Sequence, residues 1–182
     1  MFGQNLAIVD VETTGMGAHT HRVIEVAIIR IERGRIAEKF TTFVNPQMPV
    51  PRFITHLTGI SDHDVAKAPT FSAIQRTVHS LLKGATFVAH NVWFDYAFIQ
   101  TELERVRVPF ASPKCCTVRL SRRLFPQYRS HSLQSLIQRY NFGYANRHRA
   151  YDDAYVLWQF LKKIKKDFPR KTVEETWEML TA

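Results

Sequence analysis

The stretch LAIVDVETTG, residues 6–15, decides the fold. Alternate residues of a β-strand share a face, so the even-numbered positions from Leu6 to Glu12 point to one side. Both sides begin apolar, which predicts a central strand that is covered on both faces. Two carboxylates, Asp10 and Glu12, then follow on one side at the carboxyl end, where open α/β sheets commonly bind ligands. Taken alone, a polar strand exit explains these two acids equally well.

Outward from this strand, the sequence predicts an α/β domain without internal repeats or a dividing linker. Strands are predicted at residues 5–12, 22–32, 36–44 and 86–91, with a hairpin turn at 33–35. Short helical pieces are expected around residues 56–60 and 61–65. Longer helices are predicted from Thr70 to the stop at 83–84 and at residues 92–106, 117–125, 131–140 and 149–166.

Composition limits the class of protein. With 182 residues, 45% hydrophobic and 23% charged, the chain fits one compact domain with a sizeable core. The formal charge of +9 favours a polyanionic partner, most simply nucleic acid. The only cysteines, Cys115 and Cys116, are adjacent and form no disulfide framework, which favours a reducing, cytoplasmic setting. Because no apolar run approaches membrane-spanning length and no secretory signal is recognisable, we expect no membrane partner.

Two further acids lie in predicted helices. Asp153 shares the three- and four-residue spacing of an apolar stripe, which predicts that it faces inward together with Leu157, Phe160, Leu161 and Ile164. Asp95 lies in the first turns of the helix predicted from residue 92. An acid near a helix start is favoured by the helix dipole, which accounts for either residue alone but not for all four acids. Carboxylates avoid burial unless something pairs with them, so the set predicts a bound cation.

These residues resemble the motifs of the DEDDh 3′–5′ exonucleases, the family of the proofreading epsilon subunit of bacterial DNA polymerase III. The three family motifs are matched in order, residue type and spacing by VDVETTG (9–15), HNVWFD (90–95) and HRAYDDA (148–154). The similarity runs from about residue 5 to 165. In the histidine branch of the family a histidine stands five residues before the last acid, and here it is His148. The tyrosine branch has a tyrosine four residues before that acid, where this chain has Arg149.

The resemblance implies a fold and a catalytic apparatus. The fold is ribonuclease H-like, an α/β architecture with a mixed five-stranded sheet and helices on both faces. Two divalent metal ions, Mg²⁺ or Mn²⁺, are expected as cofactors, held by Asp10, Glu12, Asp95 and Asp153. Asp10 would bridge both ions, and Asp95 would hold the second largely through water. His148 would take the proton from the attacking water, because imidazole titrates near neutral pH. The implied catalytic set is therefore Asp10, Glu12, Asp95, His148 and Asp153.

Substrate contacts are also implied by the resemblance. It places the backbone at Thr13 and Thr14 beside the 3′-terminal sugar, and His56 and Leu57 near the terminal nucleotide. Asn91, at a strand-to-helix junction, either caps the helix or contacts substrate. The run TVRLSRRLFPQYRSHS (117–132) interleaves four arginines with two aromatics. A phosphate-binding track and a solvated helix face with two core aromatics explain this run equally well.

We therefore predict a metal-dependent 3′–5′ exonuclease that hydrolyses single-stranded DNA ends to mononucleotides in proofreading or repair. An RNA substrate and a nucleic-acid-binding module with a vestigial site are the alternatives. A DNA polymerase or a second nuclease domain in a longer protein is a further candidate partner. The predicted exonuclease domain spans residues 1–166. In the tail, 167–182, Val173, Trp177 and Leu180 have helical spacing, so it packs back or docks on a partner.

Overall fold

The computed structural model describes residues 3–143 and 149–181. Its strands are β1 (Leu6–Thr13), β2 (Val23–Glu32), β3 (Arg35–Phe43), β4 (Thr86–Ala89) and β5 (Lys114–Cys116). Its helices are α1 (Arg52–Thr58), α2 (Asp62–Ala66), α3 (Phe71–Leu82), α4 (Val92–Arg105), α5 (Thr117–Leu124), α6 (Leu133–Tyr140), α7 (Ala150–Asp167) and α8 (Arg170–Thr181).

The strands form one mixed five-stranded sheet in the order β3-β2-β1-β4-β5. β2 pairs antiparallel with β1 and β3, whereas β1, β4 and β5 run parallel to one another. The predicted hairpin joins β2 to β3 through Arg33 and Gly34, which both have positive φ values, as a two-residue type I′ turn requires. The carboxyl ends of the three parallel strands therefore meet at one edge of the sheet.

Both faces of the sheet are covered, as the pattern of β1 predicts. Leu6 and Ile8 join the core beneath α5, α6, α7 and α8. Ala7 and Val9 join the core beneath α3 and α4 on the opposite face. A smaller cluster packs α1 and α2 against Ile24 of β2. The even-numbered side of β1, which carries Asp10 and Glu12, is therefore the side that α7 covers.

Two differences from the predicted elements have physical reasons. β5 was not predicted because it has only three residues, too few to show a periodicity. Helix α6 begins at Leu133 rather than 131, because the Ser132 side chain accepts a hydrogen bond from the backbone N–H of Ser135 and caps the helix. The tail contains α8, as the helical spacing of Val173, Trp177 and Leu180 predicts.

Helix α8 packs on the domain. Its side chains at Val173, Trp177 and Leu180 are buried in the core that also contains β5 and α5 residues. The indole Nε1 of Trp177 donates to Oε1 of Gln4, at 2.9 Å. The division of the chain at residue 166 stays a prediction. Within residues 3–143 and 149–181, no helix is long and apolar enough to cross a membrane.

Candidate active site

Three carboxylates converge at the carboxyl end of β1. One ligand oxygen each from Asp10, Glu12 and Asp153 lies within 4.8 Å of the other two. Asp10 and Glu12 stand on the face of β1 that α7 covers, and Asp153 lies in the first turn of α7. We call these three residues the carboxylate group. Its spacing and its oxygen donors fit a hard divalent cation such as Mg²⁺ or Mn²⁺.

The inward orientation predicted for Asp153 is confirmed. Asp153 is buried, and so are the apolar residues of its helical stripe, Leu157, Phe160, Leu161 and Ile164. Helix α7 lies against β1 and β2, so the packing of this stripe carries Asp153 to the edge where Asp10 and Glu12 end the strand. A carboxylate three residues into a helix is also favoured by the helix dipole.

Asp95 reaches the same edge from α4, on the opposite face of the sheet. Its Oδ1 accepts a hydrogen bond from the backbone N–H of Val11, at 3.1 Å. The parallel pairing of β1 with β4 ends at Ile8, which leaves the Val11 N–H available for this bond. Asp95 lies outside the carboxylate group, but it is near enough that its charge acts on Asp10 more strongly than any other neighbouring charge.

Burial and mutual repulsion disfavour the charged forms of these acids. Burial raises the pKa of Asp10 well above its ordinary value, and the charges of Asp95 and then Asp153 raise it further. Burial, followed by the charge of Asp153, raises the pKa of Glu12 to about 8. Burial raises the pKa of Asp95 to about 8 against the lowering effect of the Val11 hydrogen bond. A cation between the carboxylates would offset both causes.

Glu25, which the sequence analysis missed, lies beside the carboxylate group. It stands opposite Glu12 in the β1–β2 ladder, next to a break in register between Glu12 and Thr13. Its carboxylate accepts hydrogen bonds from Arg149 Nη2 at 2.9 Å and from the backbone N–H of Ala150 at 3.0 Å. Directly opposed like charges destabilise a strand pair, and Arg149 offsets this one.

The ion pair between Glu25 and Arg149 fixes the start of α7. Arg149 occupies the N-cap position without a side-chain cap, so Glu25 satisfies the first helical N–H from another element. The same contact holds Asp153 in register with β1. A charged residue within the apolar strand VIEVAIIRIE was a readable signal for Glu25. Its partner was not readable, because the two residues are 124 positions apart.

The predicted histidine, His148, lies outside the described residues, within the interval 144–148. Its assignment as general base stays a prediction. The residue that follows it, Arg149, is described and is held by Glu25.

The hydroxyls of Thr13 and Thr14 shape the loop after β1. Thr13 Oγ1 donates to the carbonyl of Gly15 at 2.6 Å. Thr14 is fully buried, and its hydroxyl accepts from the backbone N–H of Arg22 at 3.0 Å. The side chains are therefore used inside the protein, and the predicted backbone approach to a terminal sugar stays a prediction.

The other predicted substrate residues are exposed. His56 and Leu57 lie on the solvent side of the last turn of α1. Asn91 occupies the N-cap position of α4 with φ 68°, but its side chain makes no capping hydrogen bond. The capping alternative for the Asn91 side chain is therefore wrong: its backbone is left-handed, whereas a residue that caps a helix with its side chain is typically extended. Contact with substrate stays a prediction for all three residues.

The run at residues 117–132 divides into two parts. Phe125 is buried in the core and Tyr128 packs against it, so neither aromatic offers a free face. The four arginines of the run are exposed at positions 119, 122, 123 and 129. The two aromatics therefore pack in or against the core, as the alternative of a solvated helix face with core aromatics predicts.

A sheet of this topology with acids at its carboxyl edge defines a nuclease-like architecture, and comparison with known proteins agrees. The family model RNase_T, described as Exonuclease, matches residues 7–161. A solved structure of E. coli Exonuclease I in complex with a dT13 oligonucleotide superposes with a TM-score of 0.83 and 19% identity, over 93% of this chain and 42% of that chain. The predicted ribonuclease H-like fold is confirmed.

Two curated relatives are similar in sequence. The 3′-5′ exonuclease DinG of Bacillus subtilis is 36% identical over 180 residues, which cover 94% of this chain and 19% of the relative. The PolC-type DNA polymerase III of Caldanaerobacter subterraneus subsp. tengcongensis is 33% identical over 160 residues, which cover 87% of this chain and 11% of the relative. The chain thus spans about a fifth of the first relative's length and about a tenth of the second's. This chain belongs to the RNase_T exonuclease family.

Proposed function

We propose that this chain is a metal-dependent 3′–5′ exonuclease that trims single-stranded DNA ends to mononucleotides. The observation that carries the proposal is the convergence of Asp10, Glu12 and Asp153 within 4.8 Å, with Asp95 beside them, in a chain of an exonuclease family. The net charge of +9 of the whole chain favours association with a polyanionic strand.

Each residue of the site has a distinct part. Asp10, Glu12 and Asp153 would hold the cations, and Asp95 would orient water around them from its anchor on Val11. Two divalent ions held there would neutralise charge on the phosphate and stabilise the attacking and leaving oxygens. Glu25 and Arg149 position α7, so that Asp153 meets Asp10 across the edge. The terminal nucleotide would lie against Thr13, Thr14, His56 and Leu57, with Asn91 at the opposite side.

His148 would accept the proton of the attacking water. General-base catalysis contributes about 10²–10⁴-fold, so we expect His148→Ala to reduce turnover by that range. Because the four acids remain, the variant should bind Mn²⁺ as the wild type does, measured by calorimetry. Equal losses of metal binding and turnover would contradict the assignment of His148 as a base.

DNA is favoured over RNA by the relatives that are named as PolC-type DNA polymerase III. Proofreading or repair trimming is the setting that such relatives suggest. Since the DinG and PolC-type relatives are much longer than this chain, a polymerase or a further domain is the corresponding proposed partner.

The deciding experiment compares labelled single strands. DNA and RNA of matched sequence, labelled at either the 5′ or the 3′ end, are incubated with Mg²⁺, Mn²⁺ or EDTA. We expect mononucleotide release from the 3′ end of DNA, with metal only, and a stepwise ladder on the 5′-labelled strand. Asp10→Asn should be inactive, and the neighbouring Asp152→Asn is the matched control that should retain activity. Metal-independent release, or a fast RNA reaction with slow DNA turnover, would overturn the corresponding part of the proposal.

A further inference from the structure

A concave surface opens at the carboxyl edge of the sheet, where the carboxylate group also lies. It is a cleft of about 480 Å³ between the start of α4 and the start of α5. Its lining residues are Asn91, Trp93, Cys116, Val118, Arg119 and Arg122. We call it the Trp93 cleft. None of its residues except Asn91 belongs to the site described above.

The topology places the Trp93 cleft next to the carboxylate group. The group forms at the end of β1, whereas the cleft lies at the ends of β4 and β5, the next two strands of the sheet. Neighbouring strands are about 4.7–4.9 Å apart. His90, at the end of β4, is joined to Thr117, at the start of α5, by a hydrogen bond of 2.9 Å between Nδ1 and Oγ1. Both walls of the cleft are therefore fixed relative to the acids.

One wall presents an aromatic face to solvent. Trp93 is 55% exposed, whereas Trp158 and Trp177 are 6% and 0% exposed. Asp95, two residues further along α4, is buried and bonded to β1. The same helix turn therefore directs a carboxylate towards the edge that holds the carboxylate group and an indole towards the cleft. Nucleobases stack on such exposed aromatic rings with little regard to sequence.

The other wall presents unpaired positive charge. Arg119 and Arg122 lie three residues apart on α5, so they are neighbours on one helix face, where like charges repel. Among residues 3–143 and 149–181, neither guanidinium forms an ion pair or a side-chain hydrogen bond. By contrast, Arg22, Arg30, Arg105 and Arg149 all pair with glutamates. A polyanion in the cleft would supply the missing partners.

We propose that the Trp93 cleft binds the nucleotides that precede the terminal one on the strand being degraded. A base stacks on Trp93, and the flanking phosphates pair with Arg119 and Arg122. Asn91 lines the cleft at the N-cap position of α4, the helix that also carries Asp95. The inference rests on the proposed function, since it takes the strand whose 3′ end lies at Asp10. It assigns the cleft to strand binding rather than to bond cleavage.

Tryptophan fluorescence reports on the stacking directly. In EDTA, titration with a single-stranded oligothymidylate should quench the exposed fraction of the emission. Trp93→Phe should abolish the quenching but keep the affinity, because phenylalanine still stacks. Trp93→Ala should weaken binding about 5-fold or more. Undiminished quenching in Trp93→Phe, or unchanged affinity in Trp93→Ala, overturns the proposal.

Salt dependence reports on the phosphate contacts. For single strands the slope of log K against log salt is about −0.7 per neutralised phosphate, so Arg119→Ala with Arg122→Ala should reduce its magnitude by roughly 1.4. Arg76→Ala, an exposed arginine of α3, is the charge-matched control for each single variant and should leave the slope unchanged. Equal effects of Arg76→Ala and Arg122→Ala would mean that only net charge matters, which overturns the cleft as the site.

A minimal substrate separates this inference from the proposed function. The p-nitrophenyl ester of thymidine 5′-monophosphate offers a phosphodiester without preceding nucleotides. Trp93→Ala and the double arginine variant should hydrolyse it as the wild type does with Mn²⁺, yet degrade oligonucleotides with a raised KM. Wild-type protein inactive on both substrates would refute the proposed function. Active variants with wild-type KM on oligonucleotides would refute the cleft as the strand-binding site and leave the proposed function standing.

Discussion

Buried and half-buried carboxylates occur in two kinds of surroundings in this protein. Glu102 is 1% exposed and receives hydrogen bonds from Arg22 at 2.7 and 2.9 Å and from Arg105 at 3.1 Å. Glu25 is 3% exposed and pairs with Arg149. At the end of β1, in contrast, no lysine or arginine of the described ranges forms an ion pair with Asp10 or Glu12. Arginine side chains therefore pair with Glu25 and Glu102, but none of the described ranges pairs with Asp10 or Glu12.

The contrast shows which property of a buried acid indicates function. Burial alone does not, because Glu25 and Glu102 are as buried as any acid of the site. What distinguishes Asp10 and Glu12 is that burial and then neighbouring carboxylates raise their pKa values, and that no cation of the described ranges forms an ion pair with them. Such an arrangement is stable at neutral pH only with protons or metal cations. Replacing acids from each class should therefore have opposite effects on stability.

The largest expected effect is on activity, from Asp10→Asn. Because a metal ion contributes several kcal/mol of charge stabilisation to phosphodiester cleavage, turnover should fall at least about 10²-fold. In EDTA at pH 8 the same variant should unfold at a higher temperature than wild type, since one of the repelling charges is gone. The measurements are single-turnover nuclease assays and calorimetric melting. A variant less stable than wild type without metal would contradict the comparison.

The next largest effect is on stability, from Arg149→Met. This substitution leaves the buried Glu25 carboxylate beside Glu12 without its cation. Because Arg149 is itself 41% exposed, the loss should be smaller than for a fully buried pair, about 1–3 kcal/mol. Urea unfolding measures the loss. Glu25→Gln should cost less, because Arg149 can turn towards water, and combining it with Arg149→Met should recover part of the loss. Additive losses would show that the two residues do not act as a pair.

The same variants test the positioning of α7. In Glu25→Gln, Asp153 loses part of its support, so Mn²⁺ affinity should fall by about 10–100-fold, as for residues that orient metal ligands. Glu102→Gln removes a comparably buried, arginine-paired acid of α4 and is the matched control, with Mn²⁺ affinity retained. An equal loss of affinity in both variants would indicate a general effect of stability instead.

The pH dependence of stability should report on the raised pKa values of Glu12 and Asp95. Glu12, with an ordinary pKa of 4.5, and Asp95 both have pKa values raised to about 8, so the folded protein binds protons more tightly than the unfolded chain. The contribution of these two groups to the free energy of unfolding is therefore fully present below about pH 4, and it is lost as the pH rises through about 8. Without metal, the melting temperature should fall by at least about 3 °C from pH 5 to 8, the shift expected for 1 kcal/mol in a chain of this size.

Excess Mg²⁺ supplies the contrast for this titration. A cation at the carboxylate group stabilises the charged acids, so the melting temperature should rise with Mg²⁺ and the rise should be larger at pH 8 than at pH 5. Asp10→Asn should show a smaller metal-dependent rise at both values. A metal-induced shift that does not depend on pH would argue that the cation binds elsewhere.

Local pattern predicted four of the five strands and the orientation of three of the acids, whereas the five-stranded mixed sheet was implied by the family resemblance. The alternation in β1 fixed the faces of Asp10 and Glu12, and helical spacing fixed the face of Asp153. The arginine partners Arg149 of Glu25 and Arg22 of Glu102 could not be predicted, because they lie 124 and 80 positions away, separations that no periodicity shows. Asn91 was ambiguous for a related reason: its left-handed φ of 68° is not readable from residue type alone. The exposed indole of Trp93 was equally hidden.

The smallest expected effect comes from ion pairs at the surface, which complete the comparison. Lys163 pairs with Asp167 on α7 and Arg170 with Glu174 on α8, both at i,i+4 spacing and partly or largely exposed. Water already solvates these charges, so Glu174→Ala and Asp167→Ala should each change the free energy of unfolding by no more than about 0.5 kcal/mol. Urea titration resolves this against the several-fold larger loss in Arg149→Met. A loss above 1 kcal/mol at either surface pair would mean that an ion pair stabilises this fold by a similar amount whether it is exposed or buried.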